Sequence, residues 1–129
     1  MREILFRGKQ FYNGRWIHGG LVERDGRVFI VGVSSLLRID GIEVDPKTVG
    51  QFTGMTDKNG VKIWENDIVQ GCFRSNHSKQ TFRVAFDDGM FLFDNNCVEM
   101  PKYGVYGMRV IGNIFDNPEL MEGGEADET

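Results

Sequence analysis

Residues Thr48–Val69 read TVGQFTGMTDKNGVKIWENDIV. Thr48 to Phe52 alternates β-branched, small and aromatic residues and predicts a short strand. Thr56-Asp57-Lys58-Asn59-Gly60 then packs turn formers together before a second run of strand formers, Val61-Lys62-Ile63-Trp64. Asp and Asn bond their own backbone two residues on, and Gly accepts positive φ, so this composition reverses the chain. The stretch reads as strand, turn, strand.

The same grammar extends both ways. On the N-terminal side Ile4-Leu5-Phe6-Arg7 opens a strand. Asn13-Gly14 separates Phe11-Tyr12 from Arg15-Trp16-Ile17, and Asp25-Gly26 separates Leu21–Arg24 from Arg27–Val31. Asn-Gly and Asp-Gly between strand formers predict hairpins, since both central residues of a type I′ turn need positive φ. Ser34-Ser35 is a candidate cap for one helical turn carrying Leu36 and Leu37, and Asp40-Gly41 marks a further turn. On the C-terminal side three antiparallel strands are expected at 67–73, 80–86 and 90–93, the last two joined by Asp87-Asp88-Gly89, and a final strand at 108–115. Asp116-Asn117-Pro118-Glu119-Leu120 predicts the cap and first turn of a short helix.

Composition agrees with a β-rich domain. The 129 residues hold 17 glycines and 10 phenylalanines against 3 prolines, which favours tight turns between short aromatic strands. No run approaches the roughly 20 apolar residues of a membrane span, and the start, MREILFRGKQ, has charges where a signal peptide is apolar. A cytoplasmic protein is expected. Cys72 and Cys97 lack the spacing of a redox or zinc pair and are expected to be buried thiols. The net charge of −4 is carried by Glu122, Glu125, Asp127 and Glu128, in a C-terminal stretch without Lys or Arg. The remaining body is formally neutral, and residues 121–129 are expected to be a disordered acidic tail.

Three ordered blocks resemble one family. Gly50, Phe52, Thr53, Gly54, Asp57-Lys58-Asn59-Gly60, Glu65 and Asp67-Ile68-Val69 form the first. Arg2-Glu3-Ile4 to Phe6-Arg7-Gly8-Lys9 with Trp16 form the second, and Val110 to Leu120 the third. The pattern is similar to the YopX family of phage and prophage proteins. Two departures are Trp64, where tyrosine is common, and Asn66, where a glycine usually precedes the Asp; Asn tolerates the left-handed conformation that position would need. The resemblance implies a mainly β fold over residues 1–120, with an N-terminal meander at 1–55 packed with an SH3-like antiparallel barrel portion at 56–120. It implies no activity.

Candidate sites are few. His18 and His77 are the only histidines, and neither stands in a catalytic or metal-ligand motif, so no catalytic residue, metal or cofactor is expected. Glu65, Asp67, Asp87, Asp88 and Asp94 would matter only if hairpin ends brought them together; turn chemistry already explains most of them. Two locally basic segments remain: Arg2, Arg7, Lys9 and Arg15 against only Glu3, and Arg74, Lys79 and Arg83 with no acid between Gln70 and Phe86, with Trp16, Phe73 and Tyr103 as the candidate aromatics beside them. Beside exposed aromatics such cations suit single-stranded nucleic acid; the alternative is an ordinary solvated surface with Trp16 in the core. The first functional expectation is a non-enzymatic protein-interaction or self-association module, with a homo-oligomer or an unknown host or phage protein as partner. A nucleic-acid-binding accessory protein is the second, and a metal-dependent hydrolase a distant third.

Overall fold

The computed structural model describes residues 4–32 and 41–122. The expected helical turn at Ser34–Leu37 and all but the first two residues of the acidic tail lie outside the described residues. The chain is mainly β, and its contacts divide it into two compact units, Met1–Gly54 and Met55–Thr129.

In the first unit β1 (Phe6–Lys9), β2 (Trp16–Arg24), β3 (Arg27–Val31) and β4 (Ile42–Val44) form an antiparallel meander. A single-turn 3-10 helix, Pro46–Thr48, leads into β5 (Gly50–Thr56), which returns beside β1 with Phe6 opposite Gln51. The Asp25-Gly26 hairpin is as expected: Arg24 pairs with Arg27, and both turn residues take positive φ (55° and 78°). The Asn13-Gly14 hairpin is not. Lys9 pairs with Trp16, and Gln10 N–H donates to Arg15 O (2.9 Å), so Phe11–Gly14 are all loop. Only Gly14 of that loop takes positive φ, and Phe11 and Tyr12 leave the ladder for solvent, 62% and 96% exposed. Ile30, Val44 and Phe52 form the buried interior of this unit. Gly8 lets β1 lie close to β4, because a Cβ there would stand 2.7 Å from Val44 Cγ2.

The second unit holds β6 (Lys62–Trp64), β7 (Asp67–Phe73), β8 (Lys79–Asp87), β9 (Met90–Asp94), β10 (Glu99–Met100), β11 (Val105–Asn113) and the one-turn helix α1 (Glu119–Glu122). Its five-stranded antiparallel sheet has the order β10-β9-β8-β7-β11. The expected SH3-like barrel is therefore an open sheet: the end strands β10 and β11 do not pair with each other, and β10 has only two residues with which to continue the ladder. Asp88 and Gly89 (φ 53° and 80°) close the β8–β9 hairpin in two residues, as their types require. The core collects Ile63, Val69, Phe82, Val84, Phe93 and Val105. Phe82 sits edge-on to Phe73 at 5.6 Å between ring centroids, with Phe93 at 6.0 Å. Each such buried side chain contributes about 1.5–3 kcal/mol.

Asp57 fastens the 57–61 turn to this sheet. Its Oδ1 accepts the N–H groups of Asn59 (2.8 Å) and Val61 (2.9 Å), and its Oδ2 accepts that of Val110 on β11 (2.9 Å). Burial pushes this carboxyl up, but the three backbone donors, with Lys58 adding to them, outweigh it and leave the pKa below the ordinary 3.8. Asp67, also buried, accepts the N–H of Trp64 (2.8 Å), and Asn66 between them takes φ 75°, the left-handed conformation expected of it.

Two predictions follow from this packing. Asp57→Asn removes the charge that the three donors face and lowers stability by about 1–3 kcal/mol. Because the folded pKa is depressed, the carboxylate's contribution is complete above the ordinary aspartate value and is lost as pH falls through the lower folded one. Denaturant midpoints of wild type and variant therefore stay apart at neutral pH and converge below about pH 4. Gly8→Ala forces β1 away from Val44 and lowers stability by about 1–3 kcal/mol, read as a fall in melting temperature.

Candidate basic and aromatic surface

The sequence-predicted residues Arg7, Lys9 and Trp16 meet on one face of the β1–β2 ribbon, where Lys9 lies opposite Trp16 and Arg7 opposite His18. The Arg7 guanidinium carbon is 4.6 Å from the Trp16 ring centroid and Lys9 Nζ is 5.9 Å from it. Trp16 is half-buried, so the chain's own cations attend the ring expected to stack on a ligand. Beyond this cluster the loop holds Phe11 and Tyr12 out to solvent.

Arg74, Lys79 and Arg83 belong to the second unit. Arg83 is drawn toward Asp94 (3.7 Å), which offsets its charge. Arg74 is exposed above Tyr106, its guanidinium carbon 5.5 Å from the ring centroid. Lys79 is exposed on β8. The register explains what joins them: Tyr106 of β11 lies opposite Cys72 of β7, which lies opposite Lys79 of β8. The next row runs Arg109, Gln70, Thr81, with Arg109 donating to Gln70 Oε1 at 3.0 Å. Directly opposed residues share a sheet face, so both rows lie on the face opposite Val69 and Phe82 of the core.

That face is divided. Toward Ile68, Ala85 and Leu92 it is buried, and α1 packs on β8, the strand that carries Ala85. Toward Tyr106 it is open and its two rows contain no acid. His77, at φ 62° in the β7–β8 loop, places Nδ1 3.1 Å from Tyr106 Oη and holds that ring at its edge. Next to Tyr106 a cleft of about 440 Å³ lies between residues 55–58, at the end of β5 and the start of the 57–61 turn, and residues 102–108, and Lys58, Arg74, Lys102 and Tyr103 line it. Asp57, the acid on its wall, directs both oxygens to backbone donors.

Tyr106, Arg109, Lys58 and Lys102 were not singled out from the sequence. Tyr106 precedes the strand start expected at Met108, and β11 is irregular between Tyr106 and Arg109, with Gly107 at φ 65°. Regular alternation would put Tyr106 and Arg109, three residues apart, on opposite faces, and the extra residue of that bulge brings them to one face.

The thiols also differ from expectation. Cys97 is exposed, because it lies in the 95–98 turn, where Asn95 Oδ1 accepts the N–H groups of Cys97 (3.0 Å) and Val98 (2.8 Å). Cys72 is half-buried on the open face. Of the carboxylates, Asp67 is engaged in its turn, Asp94 faces Arg83, and Asp87 and Asp88 sit at the β8–β9 hairpin tip. Among the described residues no three of His, Cys, Asp and Glu form a group able to hold a metal ion, and no described helix is long and apolar enough to cross a membrane.

No curated protein matches the chain significantly. Among solved structures, the crystal structure of protein EF1440 from Enterococcus faecalis is similar over 94% of this chain and 99% of its own, at 23% identity and a TM-score of 0.56, a likeness of fold. The family model described as YopX protein matches residues 6–122, nearly the whole length, and the chain belongs to the YopX family.

Proposed function

We propose that this protein is a non-enzymatic binding module that engages nucleic acid through the open sheet face of its second unit, in the cytoplasm of a bacterial host. The observation that carries the reading is the pair of acid-free rows that set Lys79 and Arg109 around Tyr106, with Arg74 above the ring. Cations meet phosphates there, and the tyrosine offers a stacking surface. Because the body is formally neutral, binding rests on a few local contacts and is modest and salt-dependent.

Titration of labelled single- and double-stranded DNA and RNA against the protein tests this. With three phosphate contacts, affinity for a single strand falls about 20-fold between 50 and 200 mM salt. The surface variant Arg74→Glu/Lys79→Glu/Arg109→Glu keeps its circular dichroism spectrum and loses the binding. Absence of binding at low salt overturns the reading.

A second reading, a protein-interaction or self-association module, is favoured by the Phe11-Tyr12 loop tip, since exposed aromatics anchor protein interfaces. If the protein self-associates through this tip, light scattering shows an oligomer that Phe11→Ser/Tyr12→Ser converts to monomer. A wild-type monomer removes self-association.

A further inference from the structure

We propose that the cleft beside Tyr106 is a subsite for one unpaired nucleobase and its phosphate, so that the module selects single strands over duplex; this deepens the nucleic-acid reading and rests on it. The cleft's volume, about 440 Å³, lies in the range of small-ligand sites. Its lining supplies groups for both chemistries of a nucleotide. Tyr103, on the 3-10 turn Lys102–Gly104, is 75% exposed, an unusual placement for a large aromatic that no core requires. Gly107, on the lining between Tyr106 and Met108, has no side chain to fill the space, and nothing lies within 4 Å of where its Cβ would be. Met55, Val105 and Met108 give the wall an apolar portion. This combination suits a flat, weakly polar ring.

The cations supply the other half. Lys102 and Arg74 line the same cleft and make no ion pair among the described residues. Lys58 joins them from the opposite wall, held in place by its own N–H donating to Met108 O (2.9 Å). The only acid on the lining is Asp57, and its oxygens face Asn59, Val61 and Val110 N–H groups, so the peptide dipoles attend its charge. A phosphate at the rim therefore meets three cations against one internally satisfied carboxylate. In a duplex the faces of a base are covered by its neighbours in the stack, whereas a single strand can present one. The chemistry recognised is a phosphorylated nucleoside, whether free or within a strand.

The test compares the full chain's affinity for oligo-dT, an abasic strand of the same length, a duplex of that length, dTMP and inorganic polyphosphate, in wild type, Tyr103→Ala and Tyr103→Phe. Tyr103 is outside the core, so thermal melting is unchanged in both variants. The expected result is oligo-dT binding that weakens about 10-fold or more on loss of the bases or on Tyr103→Ala, is kept by Tyr103→Phe, and retains its salt slope in every variant. Tyr103-dependent binding of dTMP at comparable affinity assigns the subsite to the free nucleotide; binding of the strand alone assigns it to nucleic acid. Equal affinity for abasic strand, polyphosphate and oligo-dT, or insensitivity to Tyr103→Ala, overturns the base subsite and leaves the nucleic-acid reading standing. Failure of every nucleic acid to bind at low salt overturns both.

Discussion

The second unit depends on a carboxylate that serves backbone. Asp57 takes two N–H groups from its own turn and one from Val110, fifty-three residues away along the chain. The same turn sends Lys58 N–H to Met108 O. A reversal that would otherwise be local is thereby bonded to the last strand of the sheet on either side of Arg109. Charge-assisted bonds of this kind are about twice as strong as neutral ones, and their loss would leave three part-buried donors without this acceptor. The consequence reaches the candidate site, because the segment it anchors, 105–110, carries Tyr106 and Arg109.

The strand-turn-strand reading of 48–69 followed from physical needs that residue types state openly. Asp-Gly at 25–26 and 88–89 can supply two consecutive positive φ angles, and both hairpins close on those pairs. Asn66 meets the left-handed requirement of its turn. Asn13-Gly14 misled because the same dipeptide also ends longer loops, in which only the glycine needs positive φ; the choice is made by Gln10 pairing with Arg15, which is not a property of the dipeptide. The open sheet was hidden for a related reason. Closure depends on whether end strands meet, and a two-residue β10 carries no alternation from which to read it.

The candidate site was half legible. Local charge bias identified Arg74 and Lys79, since the absence of acids from Gln70 to Phe86 is visible in one dimension. Their partners come from a strand more than twenty-five residues later, in a register set by a bulge. Arg83, equal to them in the sequence, is set apart by Asp94, its directly opposed neighbour on β9. Arg7, Lys9 and Trp16 do converge, but onto one another.

How the edges are finished narrows the kind of recognition available. Strand addition requires a run of unpaired N–H and C=O groups. The edge strand β4 of the first unit has three residues and β10 of the second has two. β11 is long enough to accept a partner strand, but Met108 O and Val110 N–H are already taken by Lys58 N–H and Asp57 Oδ2. Among the described residues, these edges are thus short or, on β11, partly occupied. What the second unit leaves open is a side-chain surface of cations and tyrosines, and such a surface discriminates by charge and by flat aromatic area. Both properties belong to a nucleotide, and the Asp57 clamp that occupies the edge also holds the tyrosine-bearing segment in place.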